Sequence, residues 1–292
     1  MPLRGGASPK EGPQNDTTMK KLILLLLWLP ALRGHAQPAG GQSAPEAVFA
    51  DGEYLEYAIS YKVSLVNTDV AGVTFRTAQG RRGDRDVYTV DALGKVYPFY
   101  RWFFDLNDSY VSTLDAGTLR PLELKAELRE GKYRYSSRYE YDWDEGVVRT
   151  TFRNHKNPDS SRRQMPLREG SFDALALFFN LRCADLSELE RNGSGTMDLV
   201  LEDTIRTIRY RLMGRENKNI RGTGKFRTLK FRCQLATSSG ESFEDGSEFT
   251  IWISDDRNRI PLYIESPIRV GSIRGRLIEW KNLKYPLDSK MN

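Results

Sequence analysis

Two cysteines and two histidines are all that the 292 residues contain. Such scarcity removes several kinds of chemistry at once. A disulfide-dense scaffold needs more sulfur, and a zinc centre needs closely spaced ligands that Cys183, Cys233 and His155 do not offer. No metal or cofactor is expected. His155 lies in Arg153-Asn154-His155-Lys156-Asn157-Pro158, a turn-like cationic stretch, and reads as a solvated loop histidine, so a Ser-His-Asp triad has no base. No G-x-S-x-G, P-loop or G-x-G-x-x-G follows a strand, and Gly222-Thr223-Gly224 reads as a turn. Long apolar runs are missing too. With 28% charged residues and a mean hydropathy of -0.56, the chain is too polar for a multi-span membrane protein.

An excess of one charge is also lacking. The 44 Lys and Arg against 39 Asp and Glu give +5. Residues 1–36 hold five of the basic and two of the acidic residues, which leaves 39 against 37, a net of +2. The two signs alternate along the chain and form no basic block, so no nucleic-acid partner is expected.

What is present begins with an address. Met19-Lys20-Lys21 precedes Leu22-Ile23-Leu24-Leu25-Leu26-Leu27-Trp28-Leu29, then Pro30 and Gly34-His35-Ala36-Gln37. A basic start, a short apolar run and small residues around a cleavage point after Ala36 make a signal peptide. Eight apolar residues before Pro30 are too few to span a bilayer, so no transmembrane span is expected in the mature chain. Residues 1–18 make an odd leader, so the start of translation is left open between Met1 and Met19, within a leader and signal peptide read as 1–36. No Cys follows the run, which argues against lipid attachment. The expected location is periplasmic or extracellular. Residues 37–47 read as a flexible lead-in, 48–285 as one domain and 286–292 as a tail.

The body repeats one pattern. In Tyr133-Arg134-Tyr135-Ser136-Ser137-Arg138-Tyr139-Glu140-Tyr141-Asp142-Trp143, odd positions are mainly aromatic and even ones polar. Successive strand side chains point to opposite faces, so one face is aromatic and the other wet. Asp144-Glu145-Gly146 then turns the chain into Val147–Phe152. Similar alternation runs through Ile208–Leu212, Leu229–Leu235 and Phe249–Ile264, with Cys233 on the apolar side and Asp255–Arg259 as a hairpin tip. Only one segment reads as a helix: Ser171 as N-cap, then Phe172, Leu175, Ala176, Phe179 and Cys183 along one stripe. The stretch 185–195 reads as a polar connection. The expected fold is all-β: an antiparallel, strongly curved sheet closing into a barrel or half-barrel, with one short helix covering or plugging it.

Candidate sites are few. Paired carboxylates suit glycoside cleavage, and Asp255 with Asp256, or Asp105 with Asp108, are the pairs available, each also explained by a turn. The stripe Tyr133, Tyr135, Tyr139, Tyr141 and Trp143 is either core or a wall for a lipid chain or sugar rings. The cluster from Tyr97 to Phe104 reads as a strand end folding over a barrel mouth. Cys183 and Cys233 either form a disulfide or remain two buried thiols.

Phe49-Ala50-Asp51-Gly52-Glu53-Tyr54-Leu55-Glu56-Tyr57, Ala71-Gly72, Asp173-Ala174-Leu175, Gly224-Lys225-Phe226 with Cys233, and Trp252-Ile253-Ser254-Asp255-Asp256-Arg257-Asn258-Arg259-Ile260-Pro261 with Gly271-Ser272 resemble, in order, the domain of unknown function family 3108. The resemblance covers about residues 48–283. It implies an exported, barrel-like protein of Gram-negative bacteria and carries over no site residue. The expected function is therefore a non-enzymatic envelope module that binds an apolar or glycan ligand or an envelope partner. Two alternatives stand beside it: a carboxylate-based hydrolase of envelope polysaccharide, and a structural partner of outer-membrane machinery.

Overall fold

The computed structural model describes residues 46–63, 66–155, 157–201, 203–235, 248–268 and 271–292. The leader expected at 1–36 lies outside them. In chain order the strands are β1 (Tyr54–Val63), β2 (Val66–Arg82), β3 (Arg85–Val96), β4 (Asn107–Asp115), β5 (Pro121–Glu130), β6 (Tyr133–Asp142), β7 (Val147–Asn154), β8 (Asn157–Pro166) and β9 (Ser171–Phe172). Two helices follow, α1 (Ala174–Arg182) and α2 (Leu186–Asn192). Then come β10 (Ser194–Val200), β11 (Ile205–Ile220), β12 (Gly224–Leu235), β13 (Glu248–Ser254), β14 (Pro261–Pro267), β15 (Ser272–Lys281) and β16 (Lys290–Met291).

All sixteen strands join one sheet, in the order β8-β7-β6-β5-β4-β3-β2-β1-β15-β14-β13-β12-β11-β10-β9, with β16 alongside β12. Every pairing is antiparallel except β9 with β10. Short polar turns make this possible. At the β6–β7 turn, Asp142 accepts from the Glu145 N–H and Gly146 takes φ 65°, which a side chain would resist. The two halves of the chain meet where β1 pairs with β15.

The antiparallel sheet stands as expected, without a hydrogen-bonded closure. Among the described residues the ladder runs open from β8 to β9, and no hydrogen bonds join these outer strands into a barrel. The helix expectation needs two corrections. Ser171 and Phe172 are extended, paired with β10, and the N-cap is Asp173, whose carboxylate accepts from the N–H groups of Leu175 and Ala176. A carboxylate satisfying two orphan donors beside the positive helix end outcompetes a serine two residues earlier. Residues 186–192, expected as a connection, form α2.

Helix α1 is the internal packing element. Leu175, Ala176 and Phe179 belong to the main core with Leu55, Tyr57, Ile59, Val73 and Phe75. Phe178 stacks on Phe75 at 4.9 Å, and Phe179 meets Phe49 edge-on at 4.9 Å. Leu181 joins a second core built from β10–β14, which includes Cys233. Cys183 packs against the first core, and both cysteines are free thiols, so the open question of a disulfide resolves to two unbridged residues in different clusters. The segment expected as a tail is tied down as well: the Ser289 N–H donates to Asp256, and Lys290–Met291 pair with Phe226 and Lys225.

Candidate functional site

The aromatic stripe of β6 divides between two environments. Tyr139 and Tyr141 belong to the main core, whereas Tyr135 sits in a small third cluster with Ala126 and Leu128. Half-buried Tyr110, Tyr133 and Phe152 pack against this third cluster. No residue of α1 or α2 belongs to it, and Tyr110 links it to the main core, against which that ring also packs. Tyr133 stacks on Tyr135 at 6.3 Å and meets His155 edge-on at 5.3 Å. At the other end, Trp143 donates its indole N–H to the Pro121 carbonyl at 2.7 Å, with Arg120 over its ring. Tyr139, Tyr141 and Trp143 therefore act as core and rim, and Tyr133 and Tyr135 as an aromatic wall. Sequence periodicity found the wall's β6 members. It missed Tyr110 and Phe152, which register alone brings in: Tyr110 lies opposite Ala126, and Ala126 and Phe152 both lie opposite Ser137.

Beside the wall, inward positions become small and polar. Ser112, Ser137 and Thr150 are buried there, and so is Asp108. Asp108 accepts the Arg129 N–H with one carboxylate oxygen, while the other has no partner. Burial pushes its carboxyl up to about 6, against the opposing pull of that N–H. Deeper in, Asp173 also accepts from the Ser112 hydroxyl at 2.8 Å, and burial raises its carboxyl to about 6 as well. Burial similarly raises the Tyr141 phenol well above its usual range.

The carboxylate pairs singled out for hydrolysis have different occupations. Asp105 is exposed, with Arg101 3.9 Å away, while Asp108 is fully buried. Asp255 pairs with Arg215 at 3.3 Å. Asp256 organises its hairpin by accepting from Ser254, Asn258, Arg259 and Ser289. A carboxylate with that many donors is a turn organiser. Among the described residues no three His, Cys, Asp or Glu side chains gather to hold a metal ion.

Across the same strands lies an open groove of about 460 Å³, whose lining includes Ser109, Lys125, Ser136, Arg138, Arg153 and Phe152 itself. Its cations are engaged: Arg153 bonds Ser136 at 2.9 Å and Arg138 pairs with Glu123 at 2.6 Å. The ring pair Trp252 and Tyr263 carries its own cation, Lys218, whose Nζ stands 3.6 Å and 4.6 Å from the two centroids.

Similarity to known proteins follows the fold. No curated protein matches the chain. Among solved structures, a beta-barrel-like protein of domain of unknown function DUF1849 from Brucella abortus superposes with a TM-score of 0.51 at 12% identity. That match covers 82% of this chain and 100% of the other, and it speaks to the fold alone. The family model described as protein of unknown function (DUF3108) matches residues 56–278, most of the described body, and the chain belongs to that family.

Proposed function

We propose that this chain is an exported envelope protein that binds rather than catalyses. The Tyr110, Tyr133, Tyr135 and Phe152 wall takes an apolar chain or the faces of sugar rings. The observation that carries this reading is the third cluster: half-buried Tyr110, Tyr133 and Phe152 around buried Tyr135 on the inward face, beside small hydroxylated positions. Binding sites combine apolar walls with a few convergent polar groups in this way. The leader motif at 19–36 supports export to a periplasmic or extracellular space. The long antiparallel sheet, together with the beta-barrel-like solved structure of similar fold, supports an enclosure around the wall.

A second reading, a structural partner in envelope assembly, is favoured by β8, which pairs with β7 on one side and with no described strand on the other. An open edge accepts a further strand.

The test uses cis-parinaric acid as the acyl probe and chitohexaose as the glycan probe, with native mass spectrometry of the purified protein for any retained mass. Tyr133→Ala and Phe152→Ala are expected to weaken one probe about tenfold while leaving the melting temperature nearly unchanged, because both rings are half-exposed. Tyr139→Ala, in the main core, is expected to lower stability instead. Failure of both probes to bind, with no retained mass, would sink the ligand reading and leave the strand-edge one.

A further inference from the structure

Among the described residues four large apolar side chains stand exposed: Phe99 at 74%, Trp102 at 72%, Phe103 at 61% and Met213 at 45%. Three of the four fall within five residues, in the connection from β3 to β4. Chance scatter of single surface apolar residues needs no explanation, but a cluster does. The rings are also held in place. Pro98–Tyr100 form a turn of 3-10 helix, and the N–H groups of Phe103 and Phe104 both donate to the Tyr100 carbonyl. Beneath it, the Tyr97 N–H donates to Val70, the Tyr100 hydroxyl bonds Thr68 at 2.8 Å, and Phe104 and Leu106 enter the core. Adjacent aromatic residues are thus sorted, with Phe104 directed in and its neighbours held out.

The surroundings are mainly basic. Arg101 lies between the exposed rings and is itself half-exposed, and Lys95 is exposed at the end of β3. The neighbouring β5–β6 turn touches this loop through the Gly131 N–H to the Asp105 carbonyl, and it presents exposed Lys132 and Arg134. Asp105, near Arg101, is the exposed acid of the loop. Trp and Phe rings backed by Lys and Arg are what the interface of an anionic bilayer accepts. The rings settle at the level of the headgroups, and the cations meet phosphate while their stems stay apolar.

We propose that the 97–104 loop docks the protein on an anionic lipid surface, inserting Phe99, Trp102 and Phe103, with Arg101, Lys95 and Lys132 against the phosphates. This proposal is independent of the ligand reading, since the wall and the loop share no residue.

The test is co-sedimentation of the purified protein, its N-terminus fixed by intact mass, with vesicles of phosphatidylcholine alone or mixed with phosphatidylglycerol. Partition onto the mixed vesicles is expected, weakening with salt. The triple variant Phe99→Ser, Trp102→Ser, Phe103→Ser is expected to reduce it by about tenfold or more. Arg101→Gln with Lys132→Gln is expected to flatten the salt dependence. Should the triple variant misfold, the single Trp102→Phe variant serves: quenching of tryptophan emission by brominated phosphatidylcholine in the mixed vesicles should be strong for the native chain and drop with Trp102→Phe. Equal partition of the native and triple-variant proteins overturns the proposal. So does a patch that drives self-association in sedimentation velocity without any vesicle binding.

Discussion

Arg182 is fully buried, an expensive place for a guanidinium. It is held there from three directions. Glu53 accepts from both terminal nitrogens at 2.6 and 2.9 Å, the Asn258 carbonyl accepts from Nε at 3.2 Å, and the Phe49 and Phe179 rings flank it. Burial alone would weaken its hold on the proton, but Glu53 outweighs that and raises its pKa. Removing one partner strands the other charge, so Arg182→Met is expected to cost about 3–5 kcal/mol in urea unfolding. Adding Glu53→Leu to that variant should recover part of the loss. Asp108 gives a pH test. Its folded pKa of about 6 lies above the unfolded value, so the folded state holds the extra proton between about pH 4 and 6. Its stabilising contribution is present below that window and is lost as pH rises through 6. Relative to Asp108→Asn, the native protein should lose about 2–3 kcal/mol across it, read from denaturant midpoints at several pH values. Neither feature was legible in the sequence. Alternation says which face a strand residue takes, but Glu53 and Arg182 are 129 residues apart and no local pattern joins them. Asp108 looks like a turn residue until register buries it.

Strands and helices carry their own constraints. On β10, Gly195 lies directly opposite Tyr210 of β11, whose ring lies over the glycine where a Cβ would stand. The ring is buried and packs near Phe231, so it cannot swing away freely. Gly195→Ala should therefore cost about 1–3 kcal/mol, measured as a lowered urea midpoint at unchanged slope, and Tyr210→Leu should relieve much of that cost. The elements themselves were largely legible: hairpins at Gly146 and at Asp255–Arg259, the alternating faces of β6 and β12, and the stripe of α1. The boundary near 171–173 was not, because a two-residue parallel pairing with β10 has no sequence signature, while Asp173 and Ser171 are both credible caps. Helix α2 was missed because its seven residues, Leu186–Asn192, are mostly polar and bury Leu189 alone in the second core.

Across the whole molecule, the ladder's order is nearly sequential on either side of one junction. The exception is β1 with β15, where Tyr54 faces Lys281. The same region brings Glu46 within 2.9 Å of the Tyr285 hydroxyl and 3.2 Å of Lys284. The outer strands β8 and β9, by contrast, are separated by four residues of chain, 167–170. Native hydrogen exchange should accordingly be slowest in β1, β2 and β15 and fastest in β8 and β9, as the outer strands have a partner on one side only. A chain opened between 168 and 169, with residue 292 linked flexibly to residue 46, would run β9 to β15 and then β1 to β8 without skipping a neighbour. Its most distant strand pairing would become a local one. Refolding rates fall as the sequence separation of contacts grows, so this rearranged order should refold faster than the natural one while reaching the same final sheet. Nature's order makes the central seam of the sheet the last contact the chain can search out, and the kinetic cost of that choice is measurable by stopped-flow refolding of the two connectivities.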